Sequence, residues 1–274
     1  MAGQHVSGRD VTQQSVTGVE GVPDYLKTEL TAYRNRTALV IPVLNEDGRI
    51  TEQLGRIRDL DPPVDVIIAD GGSTDGSTDP EVLRGMGVTT LLTKTGPGRL
   101  SAQLRMAIHH CLHSGYSAVI TMDGNGKDGV EGIPTIASAL DDGYDFVQGS
   151  RFLTGGGSQN TPKDRYLAIR LIHAPLTSLG AHHWFTDTTN GFRGHSRRLL
   201  QDPRVAPLRD VFDTYELLAY LPIRAARLGM RVTEVPVFRG YPKREPTPTK
   251  IQGPGAHSNL MGILMRAVRG RYNP

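Results

Sequence analysis

Asp123, Asn125, Lys127 and Asp128 stand among glycines in the run Ile120-Thr121-Met122-Asp123-Gly124-Asn125-Gly126-Lys127-Asp128. Residues suited to a strand interior give way at once to carboxylate and amide oxygens. Such a strand end reads as the carboxyl edge of a parallel sheet with a hard-cation site above it. Mg2+ and Mn2+ take oxygen ligands and commonly bridge a protein carboxylate to substrate phosphates. Asp-Gly-Asn-Gly is also a good turn sequence, so the binding reading leans on what lies upstream. There, Glu46 follows the apolar run 38–43, and Asp70-Gly71-Gly72-Ser73-Thr74-Asp75 follows the run 64–70. Carboxylates at these places can accept hydrogen bonds from a nucleobase or ribose, or can cap the next helix. The paired glycines favour a ligand, because they let backbone approach it closely, and they bring Gly72 and Ser73 into the binding set.

Other candidates are more ambiguous. Gly96-Pro97-Gly98-Arg99 precedes a helix; it suits an anion at the helix N-terminus, with Arg99 adding charge, and suits a plain connection nearly as well. Asp187, close to Asn190 and Arg193, fits either a loop-holding salt bridge or a wall facing sugar and phosphate. Asp213 is explained by capping, whereas Glu216 among Leu217, Leu218 and Tyr220 has the setting of a half-buried general base. His182 and His183 are adjacent and point apart on any regular element, which leaves a zinc-hydrolase site without support. Cys111 reads as a packed small apolar residue.

The elements that must carry these groups alternate. Strand-like runs at 38–43, 64–70, 89–93, 118–122 and 146–150 are separated by helical patterns at 49–60, 80–86, 100–113 and 132–142. This predicts an α/β fold with a mostly parallel sheet flanked by helices, in which ligands sit beyond the carboxyl ends of the strands. Beyond Arg151 the pattern changes to a mobile glycine loop at 155–158, helices at 163–179 and 213–228, and a strand at 231–237. The proline-rich stretch 241–254 cannot be regular helix, and a short amphipathic helix follows at 259–268.

Composition bounds the partners. A net charge of +3 leaves no general nucleic-acid footprint. The single cysteine excludes an internal disulfide and a multi-cysteine metal site, and suits a reducing cytoplasmic compartment. No apolar run approaches the roughly 20 residues needed to span a bilayer, and the start of the chain lacks a secretory apolar core. The division expected is a flexible leader at 1–34, a main domain at 35–238 (nucleotide half 35–150, second half 151–238) and a basic segment at 239–274.

Taken in order, the motifs "VIPVLNE", "IIADGGSTDGS", "GPGRLSAQ", "VITMDGNGKD", "VQGSRF", "TDTTNGFR" and "FDTYELL…LGMRVTEVPV" resemble the family 2 glycosyltransferases of GT-A fold. Within that family they look most like the dolichyl-phosphate mannose synthase-like branch, over residues 37–250. The resemblance implies that Pro42, Leu44, Glu46 and Asp70 hold the base and ribose of a nucleotide sugar. It implies that Asp123, Gly124 and Asn125 form the metal motif, with Asp123 and Asn125 as ligands to Mg2+ or Mn2+. Ser150 and Arg151 match the motif that faces the acceptor, Arg193 the arginine of "GFR", and Arg244, Thr249 and Lys250 the late segment that closes over the donor phosphates. Two departures stand out. Asn125 replaces the usual second aspartate, and Lys127 occupies a place where a neutral residue is common. The loss of one carboxylate beside a gained ammonium predicts looser metal dependence. The other departure is the lack of the C-terminal membrane helices of some relatives; the helix near 260–268 is too short to span but suits a membrane surface.

The expected activity is inverting transfer of a sugar from a UDP- or GDP-sugar to a hydroxyl or phosphate acceptor, in glycan, lipid-linked sugar or natural-product synthesis. For a hydroxyl, Glu216 is the first candidate base and Asp187 the second; for a phosphate, Arg151 and Arg193 would position it. A nucleotidyltransferase is the main competitor, but the segment after the first strand lacks its cation. A non-catalytic nucleotide-binding protein of the same fold is the other. The base, the sugar, the acceptor and any homo-oligomeric state are not encoded legibly.

Overall fold

The computed structural model describes residues 13–241 and 254–274. Its first elements are two strands, β1 (Gln13–Val16) and β2 (Tyr25–Glu29), within the expected flexible leader. The α/β core follows as β3 (Thr37–Val43), α1 (Gly48–Leu60), β4 (Asp65–Asp70), α2 (Pro80–Gly85), β5 (Val88–Lys94), α3 (Leu100–His113), β6 (Ala118–Thr121), α4 (Gly132–Asp141) and β7 (Phe146–Ser150). These match the elements expected from periodicity to within a residue or two at each end. Then come β8 (Gly157–Gln159), α5 (Lys163–Ala168), a π-helical turn (Ile169–His173), α6 (Ala174–Ala181), β9 (Arg193–Ser196) and α7 (Arg197–Gln201). The last elements are α8 (Glu216–Arg227), β10 (Val232–Pro236), β11 (Phe238–Gly240) and α9 (Pro254–Val268).

Among the described residues a nine-stranded sheet runs β1-β2-β5-β4-β3-β6-β9-β7-β10. The block β5-β4-β3-β6 is parallel, as is β7 with β10. Strands β1 and β2 extend one edge antiparallel, and β9 runs antiparallel between β6 and β7. The parallel block is buried on both faces, so its strands read as continuous apolar runs. Side chains alternate across it. Ala38 and Val40 of β3 face a core shared with α3, α8 and α9, while Leu39, Ile41 and Val43 face one shared with α1 and α4. Helix α1 meets that second core with Ile50, Leu54 and Ile57, one face at helical spacing.

Three expectations are corrected here. Residues 13–34 are not wholly a flexible leader: β2 caps the β5 edge, and the buried Tyr25 is held through its hydroxyl to Nδ1 of His109 at 3.1 Å. The glycine loop is not wholly a loop, since Gly157–Gln159 pairs in parallel with β11. The basic segment at the end of the chain is not all surface: Ile263, Leu264, Ala267 and Tyr272 join the larger core, where α9 packs on α6 and α8. Arg244, Thr249 and Lys250 lie outside the described residues.

Candidate active site

Because β4, β3 and β6 are neighbours, their carboxyl ends bring Asp70, Glu46 and Asp123 to one edge of the sheet. Two glutamines fasten that edge. Gln103 of α3 donates to the carbonyls of Val43 and Ala69, both at 2.9 Å. Gln53 of α1 donates to the Asp123 carbonyl and accepts the Gly126 N–H, each at 2.9 Å. The loops after β3 and β4 are stitched together: the Asn45 N–H donates to Ser73 Oγ at 3.0 Å, and Asn45 Oδ1 accepts the Thr74 N–H at 2.8 Å. Asn45 and Asp47 both sit at positive φ, 50° and 48°. Asn tolerates the left-handed region, whereas Asp47 with ψ of −142° lies outside it and is strained.

The nucleotide-side candidates divide by exposure. Leu44 is exposed and Pro42 half-buried, while Glu46 and Asp70 are buried. Glu46 accepts from Arg49, and Asp70 Oδ1 accepts the Ser73 N–H at 2.8 Å, held there by the turn at Gly72 with φ +94°. The start of α3 is not an open anion site. The Arg99 and Ala102 N–H groups donate to the Asp213 carbonyl and the Ser101 N–H to that of Thr214. These bonds dock the loop before α8 onto the nucleotide half, leaving the Arg99 side chain exposed. Burial raises the nearby Tyr215 phenol, and the charge of Asp123 adds to the effect.

At the end of β6 three charged side chains, Asp123, Lys127 and Asp128, gather around an arginine from late in the chain. Arg239 of β11 donates through Nη2 to Asp123 Oδ2 at 2.8 Å and through Nη1 to Asp128 Oδ1 at 2.6 Å. Main-chain pairing places it: the Gly129 N–H donates to the Phe238 carbonyl at 2.9 Å and the Gly240 N–H to the Lys127 carbonyl at 2.8 Å. Asp128 is fully buried, whereas the Asp123 side chain is 30% exposed. Burial pushes the Asp128 carboxyl up. At Asp123 burial acts in the same sense but is outweighed by Arg239, so its carboxyl is held below the usual range. Burial and then Arg239 bring the Lys127 ammonium down to about 8.

These residues do not fit a divalent ion. Asp123 Oδ2 already accepts from Arg239, and Asn125 points its amide nitrogen at the same oxygen, 3.5 Å away. The other oxygen, Oδ1, faces Gly191, where a Cβ would come within 2.6 Å of it. Asn125 Oδ1 accepts the Lys127 N–H. Among the described residues there is no group of three or more His, Cys, Asp or Glu side chains able to hold a metal. The pair Asp123 and Asn125, expected as metal ligands, is thus arranged around a guanidinium.

On the acceptor side the expected catalytic groups turn inward. Arg151 donates to Asp187 through Nε at 2.6 Å and Nη2 at 2.8 Å, to Thr189 Oγ1 and to the Tyr241 hydroxyl. Its side chain is 2% exposed and that of Asp187 is 0% exposed, so Asp187 is committed to the arginine rather than open to a substrate proton. Ser150 bonds Thr186 at 2.6 Å. Arg193 is buried, donating to the carbonyls of Thr188, Asn190 and Leu218; it braces the 188–193 turn. Glu216 is no half-free base either. It accepts the N–H groups of Asp213 and Thr214 and the Thr214 hydroxyl, capping the start of α8. Two residues that organise the site went unassigned in the sequence, Gln53 and Tyr241, and Arg239 entered only as part of the basic segment at 239–274 expected to close over the donor phosphates. Of the first two, Gln53 alone left a trace, as a polar residue on the apolar stripe of α1.

The sheet order, with carboxylates at the ends of its parallel strands, defines a GT-A-type glycosyltransferase fold. Residues 38–202 match the model of glycosyl transferase family 2, and the chain belongs to that family. It is 31% identical over 248 residues to an undecaprenyl-phosphate mannosyltransferase of Micrococcus luteus, covering 86% of this chain and 96% of the relative. It is 26% identical over 244 residues to a polyprenol monophosphomannose synthase of Mycolicibacterium smegmatis, covering 87% and 89%. These relatives belong to the dolichyl-phosphate mannose synthase-like branch. Among solved structures it resembles glucosyl-3-phosphoglycerate synthase of Mycobacterium tuberculosis in complex with Mn2+, UDP-glucose and phosphoglyceric acid. That likeness has a TM-score of 0.60 and 18% identity over 85% of this chain and 79% of the other.

Proposed function

We propose that this glycosyltransferase moves a hexose from a nucleoside diphosphate-sugar to the phosphate of a polyprenyl lipid carrier. The observation that carries this choice of acceptor is the state of the two candidate bases. A hydroxyl acceptor needs a base to take its proton, yet Asp187 is locked to Arg151 and Glu216 to the cap of α8. A phosphate monoester is already an anionic nucleophile and needs none. The names of the two curated relatives point to the same class of acceptor. Attack by the phosphate oxygen on the anomeric carbon, opposite the departing diphosphate, would invert that centre.

The face beside Tyr241 supports a lipid. Leu167, Leu171, Ile172 and Leu179 along α5, the π-turn and α6, and Trp184 just beyond α6, are 53%, 69%, 46%, 68% and 66% exposed. Lys163, Arg165 and Arg170 border them, an apolar and cationic mixture suited to an anionic membrane surface. A cavity of about 450 Å³ opens here, lined by Lys163, Tyr166, Leu167 and Thr161, whose buried hydroxyl has no partner among the described residues. Tyr241 separates this face from the Asp123 cluster: Arg165 lies 5.7 Å from its ring centre and Lys127 5.6 Å. The amphipathic C-terminal helix, expected to lie on the membrane, is packed into the core instead. No helix among the described residues is long and apolar enough to cross a membrane.

The test supplies UDP- and GDP-hexoses with either a polyprenyl phosphate or the corresponding polyprenol. An acid-labile glycosyl phosphate should form from the first alone. Glycosylation of the polyprenol, with none of the phosphate, would overturn the assignment.

A further inference from the structure

We infer that Arg239 supplies, from within the chain, the cation that stands between Asp123 and the donor diphosphate, so that this site takes a nucleoside diphosphate without a divalent ion. The inference rests on the donor reading above. Its ground is that the guanidinium occupies the open oxygen of Asp123, the oxygen a bridging metal would need. The arrangement is built rather than incidental. Asp128, fully buried, holds the opposite side of the same guanidinium, and the strand pairing of 127–129 with 238–240 fixes its root. Asn190 Oδ1 adds a third, longer contact to Nη1 at 3.4 Å.

Arginine presents five N–H donors in a fixed fork. The contacts to Asp128, Asn190 and Asp123 use both hydrogens of Nη1 and one of Nη2. Among the described residues the second Nη2 hydrogen and Nε–H remain for phosphate oxygens. A guanidinium suits this work, being permanently charged and matched to phosphate by its planar fork. Lys127 stands nearby, so two cations sit where negative charge develops as the diphosphate leaves, the place where electrostatic stabilisation matters most. The carboxylates offset Arg239 without displacing it. A divalent ion added at Asp123 would face both cations at close range, which opposes its entry.

The experiment measures binding of UDP and GDP by calorimetry to the full chain, in excess EDTA and then in Mn2+, with free Mn2+ followed by its electron paramagnetic resonance signal. For the wild type, the better nucleotide should bind with similar affinity in both conditions, within about threefold, well short of the tenfold that 1.4 kcal/mol represents. The protein alone should leave the Mn2+ signal undiminished. Arg239→Gln should weaken binding in EDTA by about tenfold or more, the worth of a charge-assisted hydrogen bond, and Arg239→Lys by less. Should Arg239→Gln fail to fold, the wild-type Mn2+ comparison decides alone. Binding that requires Mn2+, or stoichiometric Mn2+ uptake by the wild type, overturns the inference while leaving the donor reading intact. A folded Arg239→Gln that binds as the wild type does in EDTA overturns it equally. Absence of nucleotide binding in both conditions would instead sink the donor reading, and this inference with it.

Discussion

Two arginine–carboxylate pairs lie near the carboxyl edge of the sheet, and their difference separates support from chemistry. Arg151 and Asp187 are sealed, with side chains 2% and 0% exposed, and their remaining partners are protein groups. Arg239 and Asp123 are joined by a single bond of 2.8 Å, and the carboxylate is 30% exposed. One member of each pair, Arg151 in the first and Asp123 in the second, matches a place where the family resemblance implied function. Among the described residues, only the second retains unused guanidinium N–H groups and a partly exposed carboxylate. A charged residue in a familiar motif is therefore not by itself a catalytic one; what matters is whether its valences are already filled.

The contrast can be broken most sharply at the sealed pair. Asp187→Asn leaves Arg151 buried with its charge uncompensated and should cost about 3–5 kcal/mol, read from urea unfolding at pH 7. A loss below about 1 kcal/mol would put the pair in the class of exposed ones. The same region should be acid-sensitive through His173, which bonds Thr188 at 2.7 Å. Burial, and then Arg193, lower its pKa to about 4. The unfolded chain binds this proton below about pH 6.5 and the folded chain does not, so stability falls as pH drops from about 6.5 towards 4. At pH 5 the loss from this imidazole approaches about 2 kcal/mol, and His173→Gln should flatten that limb of the melting-temperature profile.

At the open pair the effects on stability should be smaller and those on binding larger. Arg239→Gln should cost about 1–2 kcal/mol, because the stranded Asp128 can take up a proton. Adding Asp128→Asn should restore much of that stability without restoring nucleotide affinity, a split a purely structural arginine would not give. Glu216→Gln should cost about 1 kcal/mol through its cap and leave turnover near that of the wild type; loss of turnover with the fold intact would return Glu216 to the mechanism. Smallest in free energy, Asn125→Asp adds a charge beside Asp123 worth about 1 kcal/mol in water-like surroundings. It should raise Mn2+ affinity about fivefold, measured by the same resonance signal.

What could be foreseen depended on how local its cause was. The parallel strands β3, β4 and β6 were legible because each is a short apolar run with Asn or Asp at or just beyond its end, and strand ends in such sheets gather at one edge. Hence Glu46, Asp70 and Asp123 could be grouped before any coordinates. Strand β9 was missed because Arg193-Gly194-His195-Ser196 has none of the β-branched character that marks a strand. Strands β1 and β2 were hidden in a polar stretch, β2 being ordered by pairing with β5 and β1 by pairing with β2. The role of Arg239 was out of reach for another reason. Its partner Asp128 is 111 positions away, and nothing local distinguishes it from the neighbouring basic residues. Glu216, conversely, was over-read, since Asp213 and Glu216 already stand at capping-box spacing.

Strand β11 has one consequence for how this enzyme could diverge. Peptide bonds, not side chains, set the position of its cation, and residues along a strand point alternately to opposite faces. A single-residue insertion or deletion between Pro236 and Arg239 would slide a phenyl ring or a bare glycine into the place of the guanidinium. Point substitutions around the crevice can tune the charge, whereas a slip in the length of that short connector would remove it while leaving Arg239 itself in the sequence, vacating the space in front of Asp123 for an inorganic ion.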